Sequence, residues 1–134
     1  MADYFTSFCC RLDVLTGDNA DHAVQIFKEM QAALERDDDL AIGFEVSVDG
    51  TTVGSLLMQD ADGFGEPEHV IAFVLRCAEA FDLKGQWGFT WVLWCSAPQV
   101  DAFGGGAQLL DLGARKSLAW IDCEHWLASG GSVS

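Results

Sequence analysis

The spacing of apolar residues changes between two periods along this chain, and that change limits the folds it can adopt. Apolar and polar residues alternate over positions 4–14 and 42–48, which is the pattern of strands with one buried face. Positions 24–34 and 70–81 instead repeat apolar residues every three or four positions, as amphipathic helices do. A chain that places helices between strands in this way folds as a sheet covered by helices.

The remaining elements are predicted from shorter signals. Asp49-Gly50 predicts a tight turn into a returning strand over 52–59, because glycine accepts the positive φ of a type I′ turn. Further strands are predicted over 87–96, 107–112 and 117–121, and Asp122 is suited to cap a short C-terminal helix. We therefore predict an α+β fold, an antiparallel sheet with two helices packed on one face. Its expected topology is a ferredoxin-like βαββαβ arrangement with an extra C-terminal strand and helix.

The domain organisation follows from the length of the chain. Its 134 residues fit one domain, and half of them are apolar, which supplies a core. We predict a single domain over residues 1–128. The small and polar residues 129–134 are expected to form a disordered tail.

Acidic residues dominate the charge of the chain. Twenty-one Asp and Glu face seven Lys and Arg, for a formal net charge of −14. Such a surface repels nucleic-acid phosphates and anionic membranes, so direct binding to either is disfavoured, whereas basic proteins are attracted. The alternative is that the acidity serves only solubility. The residues predicted to bind a basic partner are Asp37, Asp38, Asp39, Asp60, Asp62, Glu66 and Glu68.

Cysteine usage and the amino terminus indicate a reducing compartment. The five cysteines are odd in number and include no C-x-x-C pair, and Cys77 and Cys95 fall at apolar positions. The N-terminus lacks the basic and long apolar regions of a signal peptide, and no apolar stretch is long enough for a membrane span. We expect a cytoplasmic protein of a bacterial host cell.

Metal, cofactor and catalytic signals are weak. A zinc site usually has two pairs of closely spaced ligands, and Cys123-x-His125 supplies only one pair. Residues 60–66 are too short for an EF-hand loop. The glycine run 104–106 lacks the following helix and Lys of a phosphate loop, and we interpret it as a flexible entry or bulge where backbone approaches closely. Asp122, Cys123 and His125 form the one catalytic candidate, and helix capping explains them better. We predict no metal, no cofactor and no enzymatic activity.

Large aromatic residues occupy both faces of the strand predicted after the second helix. If helices cover one face of the sheet, Trp94 or the row of Trp87 and Trp91 lies on the other. An exposed aromatic patch of that kind marks an interface, and it predicts a homodimer or a protein-binding face. The alternative is that the C-terminal segment with Trp120 and Trp126 folds over it.

One segment in the last third of the chain runs from Phe89-Thr90-Trp91 through Cys95-Ser96-Ala97-Pro98 to Phe103-Gly104-Gly105-Gly106-Ala107. This segment resembles a stretch found in small, acidic, uncharacterised proteins of bacterial phages and mobile elements. The resemblance supplies no catalytic residue and implies no known activity. It implies an accessory role in the conflict between phage and host, where small acidic inhibitors such as anti-CRISPR proteins imitate the charge of DNA.

Two functions of different classes are predicted from these features. The first is an acidic, non-enzymatic protein that binds and inhibits a basic nucleic-acid-binding host protein, such as a CRISPR effector, by DNA mimicry. The second is a dimeric, ferredoxin-like module that binds a ligand or regulates a partner without DNA mimicry. In the second, Trp87, Trp91 and Trp94 are the interface aromatics.

Overall fold

The order of helices and strands follows the predicted periodicities closely. A computed structural model of the chain describes residues 4–37, 42–61, 63, 65–97 and 103–131. The elements, in chain order, are β1 (Tyr4–Ser7), β2 (Cys9–Asp13), α1 (Gly17–Asp37), β3 (Phe44–Val48), β4 (Ser55–Asp60), α2 (Pro67–Phe81), β5 (Gln86–Cys95), β6 (Gly104–Asp111), β7 (Lys116–Asp122) and α3 (Cys123–Ala128). All strand pairs are antiparallel, so the predicted α+β class is confirmed.

The strands form two sheets that share the N-terminal segment of the chain. One sheet has four strands in the order β1-β5-β6-β7, and the other has three in the order β2-β4-β3. The predicted single strand over 4–14 is interrupted at Phe8, and its two halves pair with different partners. The N-terminal strand thus pairs with β5 in one sheet and with β4 in the other, whereas the predicted topology has one sheet. The ferredoxin-like assignment therefore stays a prediction.

The side chain of Trp87 connects the two sheets near the point where they separate. The indole N–H of Trp87, on β5, donates a 2.7 Å hydrogen bond to the backbone carbonyl of Arg11, on β2. Phe8 is buried at the junction, with its ring centroid 6.0 Å from those of Phe44 and Phe89. The Trp87 bond therefore links β5 of one sheet to β2 of the other near the point where the two sheets separate.

The core lies between the two helices and the facing sides of both sheets. Phe27 of α1 is 5.0 Å from Phe44 of β3 and 5.8 Å from Phe73 of α2, measured between ring centroids. Phe89 of β5 and Leu110 of β6 belong to the same buried cluster. Burial of this cluster is the main source of stability, since hydrophobic transfer is roughly proportional to the apolar area buried.

Two local predictions differ from the structure. The connection between β3 and β4 spans residues 49–54 and is not the predicted two-residue turn at Asp49-Gly50. The Asp49 carboxylate accepts hydrogen bonds from the backbone N–H and the hydroxyl of Thr51, which builds a wider loop. The glycine run 104–106 is not a flexible entry but the first part of β6, paired with residues 91–93 of β5, whereas the predicted close approach of backbone is confirmed at Gly105 and Gly106.

The C-terminal elements complete the four-stranded sheet and add a short helix beside it. β7 is the last strand of that sheet, and a register shift between Leu109 and Leu110 marks a bulge in its pairing with β6. Of the predicted tail, residues 129–131 are described: the backbone N–H groups of Ser129 and Gly131 bind carbonyls of α3. Residues 132–134 lie outside the described residues. In the described part of the chain, helices long and apolar enough to cross a membrane are absent.

Candidate functional site

Three neighbouring strands bring polar and aromatic side chains together on the helix-facing side of the four-stranded sheet. Odd-numbered residues of β5 point to this side, because Phe89 is buried in the core. Gln108 of β6 lies opposite Phe89, and Trp120 of β7 lies opposite Gln108. Trp91 therefore shares this face with Gln108 and Trp120.

The start of α2 adds two carboxylates to the same region. Glu66 is the residue that precedes the helix, and its side chain makes no capping hydrogen bond. Pro67 occupies the first turn, where its missing N–H is tolerated, and Glu68 follows it. Both glutamates are exposed, and the Glu66 carboxylate lies 3.8 Å from Nε2 of His69.

These elements enclose an open groove of about 500 Å³, which we call the acidic groove. Its lining residues are Glu66, Pro67, Glu68, Trp91, Gln108 and Trp120. The N-terminus of α2 contributes only about half a positive charge. Two carboxylates outweigh that half charge, and the described lining contains no Lys or Arg, so the groove is electronegative.

The two tryptophans of the acidic groove are held differently. The Trp91 ring lies against Gly106, so close that a methyl group there would be 2.5 Å from Cζ2 of the indole. Trp120 is 58% exposed, and its ring centroid lies 6.3 Å from that of His125. Glycine at 106 thus leaves room for the Trp91 ring, whereas Trp120 presents most of its surface to solvent.

Among the predicted acidic residues whose side chains the structure describes, Asp60 takes a different role from Glu66 and Glu68. Glu66 and Glu68 line the acidic groove. Asp60 instead serves the fold, because its two carboxylate oxygens accept the backbone N–H groups of Phe8 and Gly63, at 2.9 and 3.1 Å. Asp37 is the last residue of α1, and its side chain lies outside the described residues. Asp38, Asp39 and Asp62 also lie outside the described residues.

The three predicted interface tryptophans take separate positions. Trp87 is half-buried, stacks on Phe89 with centroids 5.4 Å apart, and is tied to β2 by its indole N–H. Trp91 lines the acidic groove. Trp94 points to the opposite side of the sheet, stacked on Phe5 at 4.2 Å and bonded through its indole N–H to Ser7.

The side of the four-stranded sheet that faces away from the helices, the outer sheet face, is apolar. Val92, Trp94 and Leu109 are exposed there by 54%, 38% and 37%. A shallow depression of about 400 Å³ crosses this face, and its lining residues are Gly88, Phe89, Thr90, Ala107, Gln108, Leu109, Ala119, Trp120 and Ile121. The described parts of the C-terminal segment do not fill this depression.

The catalytic candidate near the C-terminus is organised as a helix start. The Asp122 carboxylate accepts the backbone N–H of His125 at 3.0 Å and so caps α3. Cys123 is an exposed thiol in the first turn of that helix. Over the described ranges, His, Cys, Asp and Glu side chains do not gather into a group of three that could hold a metal ion.

Gln108 and Trp120 are groove residues that the sequence prediction did not assign to a site. The signal that could have found them is the β6–β7 pairing, which sets Gln108 directly opposite Trp120. An electronegative groove with two indole rings suits a cation, since aromatic faces and carboxylates both attract positive charge. Comparison with family models, curated proteins and solved structures gives no match.

Proposed function

We propose that this chain is a non-enzymatic interaction protein that binds and inhibits a basic nucleic-acid-binding protein, such as a CRISPR effector. The observation that carries the proposal is the acidic groove, where Glu66 and Glu68 stand beside Trp91 and Trp120. A partner with Lys and Arg side chains complements both the carboxylates and the indoles.

The charge of the whole chain supports the same proposal. A net charge of −14 creates an electrostatic field that speeds encounter with a basic surface, and salt weakens that field. Duplex DNA presents a similar field, with about one negative charge per 1.7 Å of its axis. A protein that occupies the same basic surface competes with DNA for it.

The test is an affinity capture of basic nucleic-acid-binding proteins from a bacterial lysate, eluted in steps of rising salt. We expect one such protein to elute at moderate salt and to be displaced by added duplex DNA. Inhibition is then measured as loss of that protein's DNA binding when the chain is titrated in. If the captured protein stays bound to the chain in the presence of excess duplex DNA, the proposed DNA mimicry is wrong.

A matched pair of charge reversals tests the groove itself. The double variant Glu66→Lys/Glu68→Lys reverses two charges in the acidic groove and is expected to abolish capture. Glu29→Lys/Glu35→Lys makes the same change of charge on exposed positions of α1 and is expected to retain capture at reduced strength. Equal loss in both variants would mean that net charge alone drives binding, and the groove assignment would be wrong.

A second function is favoured by the outer sheet face. An apolar sheet surface with Val92, Trp94 and Leu109 exposed is typical of a module that pairs with a second copy or binds an apolar ligand. Under this alternative, sedimentation velocity shows a dimer that Val92→Lys converts to a monomer. A monomer at all concentrations, with a melting temperature that no metabolite raises, would count against it.

A further inference from the structure

We infer that the acidic groove binds an arginine side chain of the partner, with its guanidinium plane stacked on an indole and its N–H edge bonded to Glu66 and Glu68. The inference rests on the proposed function and names the side chain that the groove selects. Four observations about the groove lead to it.

The first observation is the seating of Trp91. The ring lies close to Gly106, where an added Cβ atom would be 2.5 Å from Cζ2 and 3.0 Å from Cε2, and the Trp91 side chain also lines the groove. The ring is further fixed by Phe89, whose centroid is 5.5 Å away at an interplanar angle of 44°. An indole whose orientation is held by its own sheet loses little entropy when a flat cation stacks on it.

The second observation is the exposure of Trp120 on the neighbouring side of the groove. The side chain keeps 58% of its surface accessible although it stands in a strand paired to β6. An exposed indole of this kind gains apolar contact when the methylene stem of a long basic side chain covers it.

The third observation is the supply of acceptor atoms. Glu66 and Glu68 offer two carboxylates. The amide nitrogen of Gln108 already donates to the hydroxyl of Ser117 at 2.8 Å, so the oxygen of that amide is the atom left to accept. Guanidinium carries five N–H donors in one plane and can bind several acceptors while it stacks.

The fourth observation is that the groove combines aromatic rings with hydrogen-bond acceptors. This combination favours the binding of arginine over that of lysine. A lysine ammonium is a compact, strongly hydrated charge that cannot stack by a plane. An anionic or nucleic-acid ligand is disfavoured by Glu66 and Glu68. An apolar ligand would leave both carboxylates without a bonding partner, which costs free energy if they are desolvated.

The experiment compares three peptides that differ only at the central residue. The probes are acetylated Gly-Ser-Arg-Ser-Gly amide and its lysine and citrulline analogues, titrated into uniformly ¹⁵N-labelled full-length protein. Citrulline keeps the planar group and loses the charge. We expect the arginine peptide to shift the indole N–H resonances of Trp91 and Trp120, and to bind at least about threefold more tightly than the lysine peptide. The citrulline peptide is expected to leave both resonances in place.

Variants assign the effect to the groove residues. Trp120→Leu removes an exposed ring. We expect it to lower the affinity for the arginine peptide by at least about threefold and to change the melting temperature little. Glu66→Gln/Glu68→Gln is expected to lower that affinity by about two- to tenfold. Trp126→Leu, at a tryptophan of α3 outside the groove that is 37% exposed, is the matched control and is expected to bind like the unaltered protein.

Failure of this inference is distinguishable from failure of the proposed function. Equal affinity for the arginine and lysine peptides, no binding of either, or full binding by Trp120→Leu would overturn the arginine assignment. The proposed function would still stand if capture of a basic protein remained sensitive to Glu66→Lys/Glu68→Lys. Loss of that sensitivity together with loss of peptide selectivity would overturn both.

Discussion

Trp91 and Gly106 are paired across β5 and β6, and the indole of Trp91 lies directly against the backbone of Gly106. A Cβ atom at position 106 would be 2.4 Å from the backbone oxygen of Ile121 on β7, 2.5 Å from Cζ2 and 3.0 Å from Cε2 of the ring. Glycine leaves room for both the indole on β5 and the backbone of β7. The pair therefore links the glycine run of the sequence to the shape of the acidic groove.

Replacement of Gly106 by alanine is expected to displace Trp91 or the β7 backbone at Ile121 and to lower the free energy of unfolding by about 1–3 kcal/mol, the usual cost of overpacking. Urea denaturation measures the change. Gly50→Ala is the control, because a Cβ there meets no atom within 4 Å, and it should alter stability by at most about 1 kcal/mol. If Gly106→Ala is as stable as the unaltered protein, the close packing described around position 106 is wrong.

Arg115 joins the β6–β7 turn to the end of α2. Its guanidinium lies 3.2 Å from the carboxylates of Glu79 and Asp82 and donates to the backbone carbonyls of Leu83, Leu112 and Gly113. Truncation removes the guanidinium from these carbonyls and from both carboxylates, so Arg115→Ala is expected to cost about 1–3 kcal/mol in thermal or urea unfolding. The exposed Lys84→Ala, which removes an amine 3.9 Å from the Asp82 carboxylate, should change stability by less than about 0.5 kcal/mol.

We expect the five cysteines to fall into two classes, fast and slow, by their rate of reaction with a thiol-specific disulfide reagent. Cys9 and Cys123 are exposed, whereas Cys10, Cys77 and Cys95 are not. Burial raises the pKa of Cys77 to about 12, and burial together with the neighbouring Cys9 raises the pKa of Cys10 to about 12. Near pH 8 these two groups are almost entirely thiol, and the thiolate is the reactive species.

We therefore expect two cysteines per molecule to react fast in the native protein and all five to react fast in denaturant. The variant Cys9→Ser should lose one fast equivalent. A third fast equivalent in the native protein would show that the N-terminal strand opens readily at Cys10.

Acid pH is expected to weaken the β3–β4 loop through Asp49. Hydrogen bonds from the Thr51 hydroxyl and backbone N–H lower the pKa of Asp49, and the Arg11 guanidinium 3.2 Å away acts in the same direction. A carboxyl group whose pKa is lower in the folded state stabilises the fold above its unfolded pKa, which is about 3.9. That stabilisation is lost as the pH falls through the lower, folded value.

The variant Thr51→Ala removes the hydroxyl donor. Its deficit in unfolding free energy relative to the unaltered protein should be present at neutral pH and shrink below about pH 4. The exposed neighbour Thr52→Ala serves as the control and should show no such pH dependence. A deficit that is constant from neutral to acid pH would contradict the role assigned to the Asp49–Thr51 pair.

The sequence predicted the elements well where periodicity was long and regular. The helix predicted around Val70 and Phe73 is α2, and its apolar stripe is buried as expected. Shorter signals were less reliable: Asp49 prefers to bond Thr51, so the expected hairpin turn became a six-residue connection. Such competition between a side chain and the backbone is not visible in the apolar pattern.

The candidate site was predicted only in part. Glu66, Glu68 and Trp91 were assigned from charge and aromatic content, and they meet in one groove. Asp60 was grouped with them by charge alone, yet its carboxylate binds backbone N–H groups of Phe8 and Gly63. Net charge does not reveal which carboxylates are already occupied by hydrogen bonds.

The sequence by itself determined the α+β class, the positions of the helices and the electronegative character of the chain, because these follow from local periodicity and from counting charges. Tertiary structure decided which side chains meet. The division of the N-terminal strand at Phe8 depends on contacts with Phe44 and Phe89, which are distant in sequence. The acidic groove likewise needs the start of α2 and the register of three strands, and register is fixed by long-range packing, not by any local pattern.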